Sequence, residues 1–177
     1  HLAHQIQKEK TYSVVITSGG GFYRYQLHDL VEVVGQWRQI PCIRFVGKAD
    51  HISDWFGEKL EERFVENVLN DVFAKHNISP TFAMLAPDDE DGFRYMLYLE
   101  NDVYIDDLKI DLDVALRTNF HYDYCRKLGQ LEAAEVVYVV NGAESYLKAC
   151  QAHGQRLGNI KPSMLQKVSG WQDWFVI

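Results

Sequence analysis

Short β-branched and aromatic runs dominate the first fifty residues, and a helical spacing of apolar positions takes over after them. Residues 11–17 (TYSVVIT) read as a strand, the Gly19-Gly20-Gly21 triplet as a tight turn, and residues 22–25 as the returning strand of a hairpin. Residues 30–37 and 43–46 read as two further strands, with Pro41 in the loop between them. From 57 to 75 the apolar positions are Leu60, Phe64, Val65, Val68, Leu69, Val72 and Phe73, the stripe of a helix with one buried face. Glu58, Glu61 and Glu62 fall in its first turn, where negative charge suits the helix dipole, and residues 77–80 end it.

Residues 81–86 and 93–99 form a predicted hairpin around an acidic turn, Asp88 to Gly92. A second helix is predicted over 106–119, with Leu108, Leu112, Ala115 and Leu116 on one face. A short strand over 136–140, a third helix over 143–153 and a breaker-rich loop over 154–162 follow. The tail from 170 to 177 holds Trp171, Trp174 and Phe175, which are expected at the surface, under another domain or a second copy. The order predicts an α+β protein: a short antiparallel β segment, then a small mixed sheet flanked by helices.

A net charge of −7 removes the basic footprint that nucleic-acid binding needs. No run approaches the length of a membrane span, so no membrane association is expected. Cys42, Cys125 and Cys150 are odd in number and far apart, which argues against a disulfide framework and for reduced thiols in a cytoplasmic protein. The histidines form no HxH or HxxxH pair, so no metal site is predicted, and no Walker loop, GxGxxG or GxSxG is present.

Four positions could carry chemistry. Asp29 follows an aromatic–basic segment, at what reads as the end of a strand, and a carboxylate there can accept both hydroxyls of a ribose. Gly47-Lys48-Ala49-Asp50 marks the break in texture, where a hinge would absorb backbone rotation. Lys59 stands at the predicted helix start, an anion-seeking place. Lys161 lies in the loop Gly158-Asn159-Ile160-Lys161-Pro162, where a mobile cation can meet developing phosphate charge. Each residue type also has an ordinary role, as surface charge or connector.

In order, the segments TYSVVITSGGGFYRYQLHDLVEVVG, CIRFVGKADHISDWFGEKLEE and GQRLGNIKP resemble the C-terminal third of the Gretchen Hagen (auxin-responsive promoter) proteins of the adenylate-forming superfamily, in a bacterial form. The resemblance spans nearly the whole chain. It implies an enzyme that activates a carboxylic acid with ATP, with Mg2+, and passes the acyl group to an amino acid. By position it implies Tyr25 and Asp29 at the ribose, Arg44, Lys48 and Lys59 at the nucleotide, Asp50 as pivot and Lys161 as the late catalytic lysine. Residues 1–47 would then end the large adenylation domain, 48–50 form the hinge and 51–177 form the C-terminal lid. The phosphate loop and acyl pocket would lie in an N-terminal adenylation domain missing from this sequence, so the chain alone is expected to be inactive. Two departures stand out: His28 where a glycine commonly precedes the ribose aspartate, and Lys48 where an arginine is common. A second reading is a non-catalytic α+β binding or assembly module derived from the same family.

Overall fold

A computed structural model describes residues 1–48 and 52–176. The chain divides into two compact units, His1–His51 and Ile52–Ile177.

The first unit is a three-stranded antiparallel sheet in the order β1-β2-β3, with β1 Thr11–Ile16, β2 Tyr25–Trp37 and β3 Ile40–Lys48. The expected short strands at 22–25 and 30–37 are replaced by one long β2, and residues 22–24 belong to the turn. A bulge makes this possible. Ser13 pairs with Leu30 and Val15 with Gln26, so Leu27, His28 and Asp29 face the single residue Val14. Pro41 lies inside β3, paired with Gln36, and not in a loop. β3 is an edge strand, where a missing N–H is tolerated. The turn falls instead at Arg38-Gln39, with Arg38 at φ 55°. Among the described residues of this sheet only Val31 and Val33 are buried, while Ile40, Ile43 and Phe45 stay exposed.

The second unit layers helices on both faces of a mixed sheet. A two-stranded ribbon of β4 Ile52–Ser53 and β5 Leu60–Glu61 leads into α1 Glu62–Lys75. The helix therefore starts five residues later than expected. Glu58 turns inward in the preceding loop and cannot serve as a first-turn helix residue. The sheet runs β6 Phe82–Asp88, β7 Arg94–Glu100 and β8 Glu135–Tyr138, with β6 antiparallel and β8 parallel to the central β7. Connecting β7 to β8 are α2 Leu108–Leu116 and α3 Phe120–Lys127, and α4 Gly142–Ala152 follows β8. α3 was not expected. Its apolar stripe, Phe120, Tyr124 and Leu128, faces solvent, and only Tyr122 and Cys125 turn inward.

Alternation along the strands explains the layers. Leu85, Tyr95, Leu97 and Leu99 pack with Val65, Val68, Leu69, Val72 and Phe73 of α1 and Leu108, Leu112 and Leu116 of α2. Met84, Ala86 and Tyr98 point the other way, toward Tyr146, Ala149 and Cys150 of α4. That second cluster also takes Trp171 and Phe175, so the expected surface exposure of the tail is incorrect for both. Tyr98 stacks on Phe175 at 4.6 Å and Tyr146 on Trp171 at 5.5 Å. No helix among the described residues is long and apolar enough to cross a membrane.

Candidate functional site

The first unit carries Tyr25, Asp29, Arg44 and Lys48. Tyr25 opens β2 opposite Ile16, half-exposed, with its ring 5.0 Å from Phe22. Asp29 lies within β2, opposite Lys48, and not at a strand end as the sequence suggested. Its position is set by the bulge: His28 holds φ 60°, a left-handed conformation that glycine adopts without steric cost. A glycine at this position would take the same conformation without that cost. Arg44 faces Glu32 across the ladder, and its Nη2 donates to Glu32 Oε2 at 2.6 Å in an exposed pair. The proposed pivot Asp50 lies outside the described residues.

The second unit carries Lys59 and Lys161. Lys59 is not in a helix. It stands in the loop before β5 at φ 46°, exposed, with its carbonyl accepting from Asn119 Nδ2 at 3.4 Å. Glu58 shapes this loop. Its carboxylate is wholly buried and accepts from the N–H groups of Trp55 (2.9 Å) and Phe56 (2.8 Å) and from the Tyr95 hydroxyl (2.6 Å). Burial and the adjacent Glu58 push the Tyr95 hydroxyl well above the ordinary phenol range, so it stays protonated as a donor. With that proton committed, the Ser53 hydroxyl donates to Tyr95 Oη at 2.6 Å. Three donors on one buried carboxylate fix the path of residues 53–59.

Lys161 is exposed in its loop, and its carbonyl accepts from the Tyr146 hydroxyl of α4 at 3.1 Å. Two residues on, the Ser163 hydroxyl donates to Glu62 Oε1 at 2.6 Å and accepts from Leu165 N–H at 3.3 Å. Glu62 is the first residue of α1, three residues after Lys59. The Lys59 loop thus runs by way of β5 into this helix end, and one hydrogen bond ties the segment after Lys161 to it. The sequence singles out the two lysines as candidates and gives no sign of what surrounds them. Glu62 and Ser163 are 101 positions apart, and no local pattern links them. Glu58 did leave a weak signal: a carboxylate after glycine in a short loop, able to reach backwards to bare N–H groups.

Beside this junction lies an open groove of about 680 Å³. It runs between α1 and the segment 162–164, with Glu62, Glu66 and Asn70 along one wall. Phe73, Ile78, Phe82 and Met164 supply its apolar surface.

The family model for the GH3 central domain matches residues 2–48, and that for the GH3 C-terminal domain matches residues 62–169, more than half of the chain. A human GH3 domain-containing protein is 32% identical over 68 residues, which cover 38% of this chain and 13% of that protein. Among solved structures, a GH3.15 acyl acid amido synthetase superposes on 93% of the chain with TM-score 0.75 and 18% identity. The AtGH3.15 acyl acid amido synthetase in complex with 2,4-DB covers 99% with TM-score 0.78 and 16% identity. The chain spans about a third of the length of these two, 32% and 34%. The layered fold of the second unit and the ribbon before it are those of the corresponding part of such synthetases. The chain belongs to the GH3 family, with central-domain sequence followed by the family's C-terminal domain.

Proposed function

We propose that the chain is the C-terminal part of an ATP-dependent acyl acid–amido synthetase, a cytoplasmic ligase. What supports this is the order of two GH3 domain matches on one chain, over the fold of two solved amido synthetases. In this reading residues 1–47 close the large adenylation domain, 48–50 are the hinge and 51–177 are the mobile lid. The partner surface is an N-terminal adenylation domain that supplies the phosphate loop and the acyl-acid pocket.

ATP, with Mg2+, supplies an activated phosphorus: a carboxylate oxygen attacks the α-phosphate, pyrophosphate leaves, and the amino acid's amine later displaces AMP from the acyl carbon. The chain's residues serve by position and charge. Asp29, on its bulge, accepts the ribose hydroxyls beside the Tyr25 ring. Arg44 and Lys48 hold the nucleotide from the ribbon. Lys59 and Lys161, on segments that meet at the amino end of α1, place two ammonium groups where phosphate charge develops. Rotation about Asp50 would bring Lys161 in for adenylation and take it away for transfer.

Pyrophosphate exchange in a full-length enzyme carrying this sequence tests the assignment. Asp29→Ala and Lys161→Ala should each slow adenylation at least about tenfold, since a preorganised charge contact is worth several kcal/mol in such a transition state. Rates within about twofold of the parent for both would refute the roles. The 177 residues by themselves should form no acyl-adenylate, because the phosphate loop is not among them.

A further inference from the structure

We infer that the groove along α1 is a binding site for a primary ammonium on an apolar body, distinct from an amino acid. The wall and the interior differ in chemistry. Glu62, Glu66 and Asn70 recur every fourth residue, so they form one row along the helix. The rest of the groove is largely lined by carbon: Phe73 on the same helix, with Phe82, Pro162 and Met164. Ser79, Thr81 and Ser163 add hydroxyls at the margins. Among the described lining residues none is Lys, Arg or His, so an anion there would meet two carboxylates and no cation.

That asymmetry decides the ligand class. An ammonium has three donors and finds carboxylate and amide oxygens on the wall, while its alkyl body covers the apolar surface. A carboxylate would face Glu62 and Glu66 with no cation to receive it. A zwitterionic amino acid gains the first contact and meets repulsion at the second, so the groove selects amines that lack a neighbouring carboxyl. Glu62 is already engaged with Ser163, which leaves exposed Glu66 as the main receiver. The site is independent of the ligase reading, since every residue it uses lies within the second unit. It also touches the Lys161 loop, because Pro162, Ser163 and Met164 form its far wall.

The test is a nuclear magnetic resonance titration of the 177-residue chain with three matched probes: n-pentylammonium, 1-pentanol and norleucine. Pentylammonium should bind about fivefold or more tighter than either of the others, with shifts at Asn70, Ser163 and Met164, and the preference should shrink with added salt. Glu66→Gln, a surface change that leaves the core untouched, should remove that preference, and Glu66→Lys should abolish pentylammonium binding. Equal affinity for the ammonium and the alcohol, equal affinity for norleucine, shifts mapping elsewhere, no binding by any probe, or an unaltered preference in Glu66→Gln would each overturn the assignment. Adenylation activity plays no part in any of these outcomes.

Discussion

At the scale of single residues, backbone conformation explains more than side-chain identity. His28 sits at φ 60°, where a β-carbon crowds the backbone. His28→Gly should raise the stability of the first unit by about 0.5–1 kcal/mol, read from the urea midpoint. Asp29 would then keep its place with less strain behind it. Glu58 makes the opposite case. It is wholly buried, and replacing it with alanine strands the N–H groups of Trp55 and Phe56 and the hydroxyl of Tyr95. Glu58→Ala should cost about 3 kcal/mol by chemical denaturation. The departure of His28 from glycine was visible in the sequence, but not the bulge that makes it matter. A bulge depends on which residue of the neighbouring strand stands opposite, and the pairs that bound this one, Val15–Gln26 and Ser13–Leu30, lie 11 and 17 positions apart.

Among the elements, those with strong periodicity and two defined ends were legible. The α1 stripe from Val65 to Phe73 became the core face, and the Asn77 to Pro80 stop held, with Asn77 at φ 52°. The start of α1 was misjudged because Leu60 fits the helical stripe while lying in a strand. α3 was missed because hydrophobicity read along its sequence marks the solvent side. Of its inward residues, Tyr122 is held by Asp113, which accepts from Tyr122 Oη at 2.9 Å and from Arg126 Nε at 3.1 Å, while the Cys125 thiol donates to the Phe56 carbonyl at 3.6 Å. Beyond their shared apolar core, α1 and α2 are linked at Asp111, whose Oδ2 lies 2.7 Å from Lys75 Nζ and 2.8 Å from His76 Nε2. The hydrogen bonds from Lys75 and His76 hold the Asp111 carboxyl below its ordinary range. A carboxyl depressed in the fold stabilises it above the ordinary value and loses that contribution as pH falls through the depressed one. Asp111→Asn should therefore be less stable than the parent near neutrality, and the gap should close below pH ~4 in urea titrations.

On the scale of the whole chain, two units of unequal cohesion follow one another. The second contains both core clusters, while the first, among its described residues, buries only Val31 and Val33 and leaves Ile40, Ile43 and Phe45 exposed. Amide hydrogen exchange should show the strands at 82–100 protected well beyond those at 11–48, and equal protection would contradict the difference. The change of texture near residue 50 and the α+β class were readable from composition and spacing alone. The burial of the tail was not, because Leu165, Trp171 and Phe175 meet residues 25 to 80 positions earlier. Leu165 pairs with Leu85 on the outer edge of β6, Phe175 lies on the Tyr98 ring, and Val176 pairs with Val140 beyond β8. The last segment thus crosses one face of the sheet from rim to rim. During synthesis the ribosome still shelters this strap when β6, β7 and β8 have already emerged, so the nascent sheet waits with a bare edge and an uncovered aromatic face. Closure of the second unit is consequently an event that follows the emergence of residue 176, and a chaperone that shields exposed strand edges has its window before that moment.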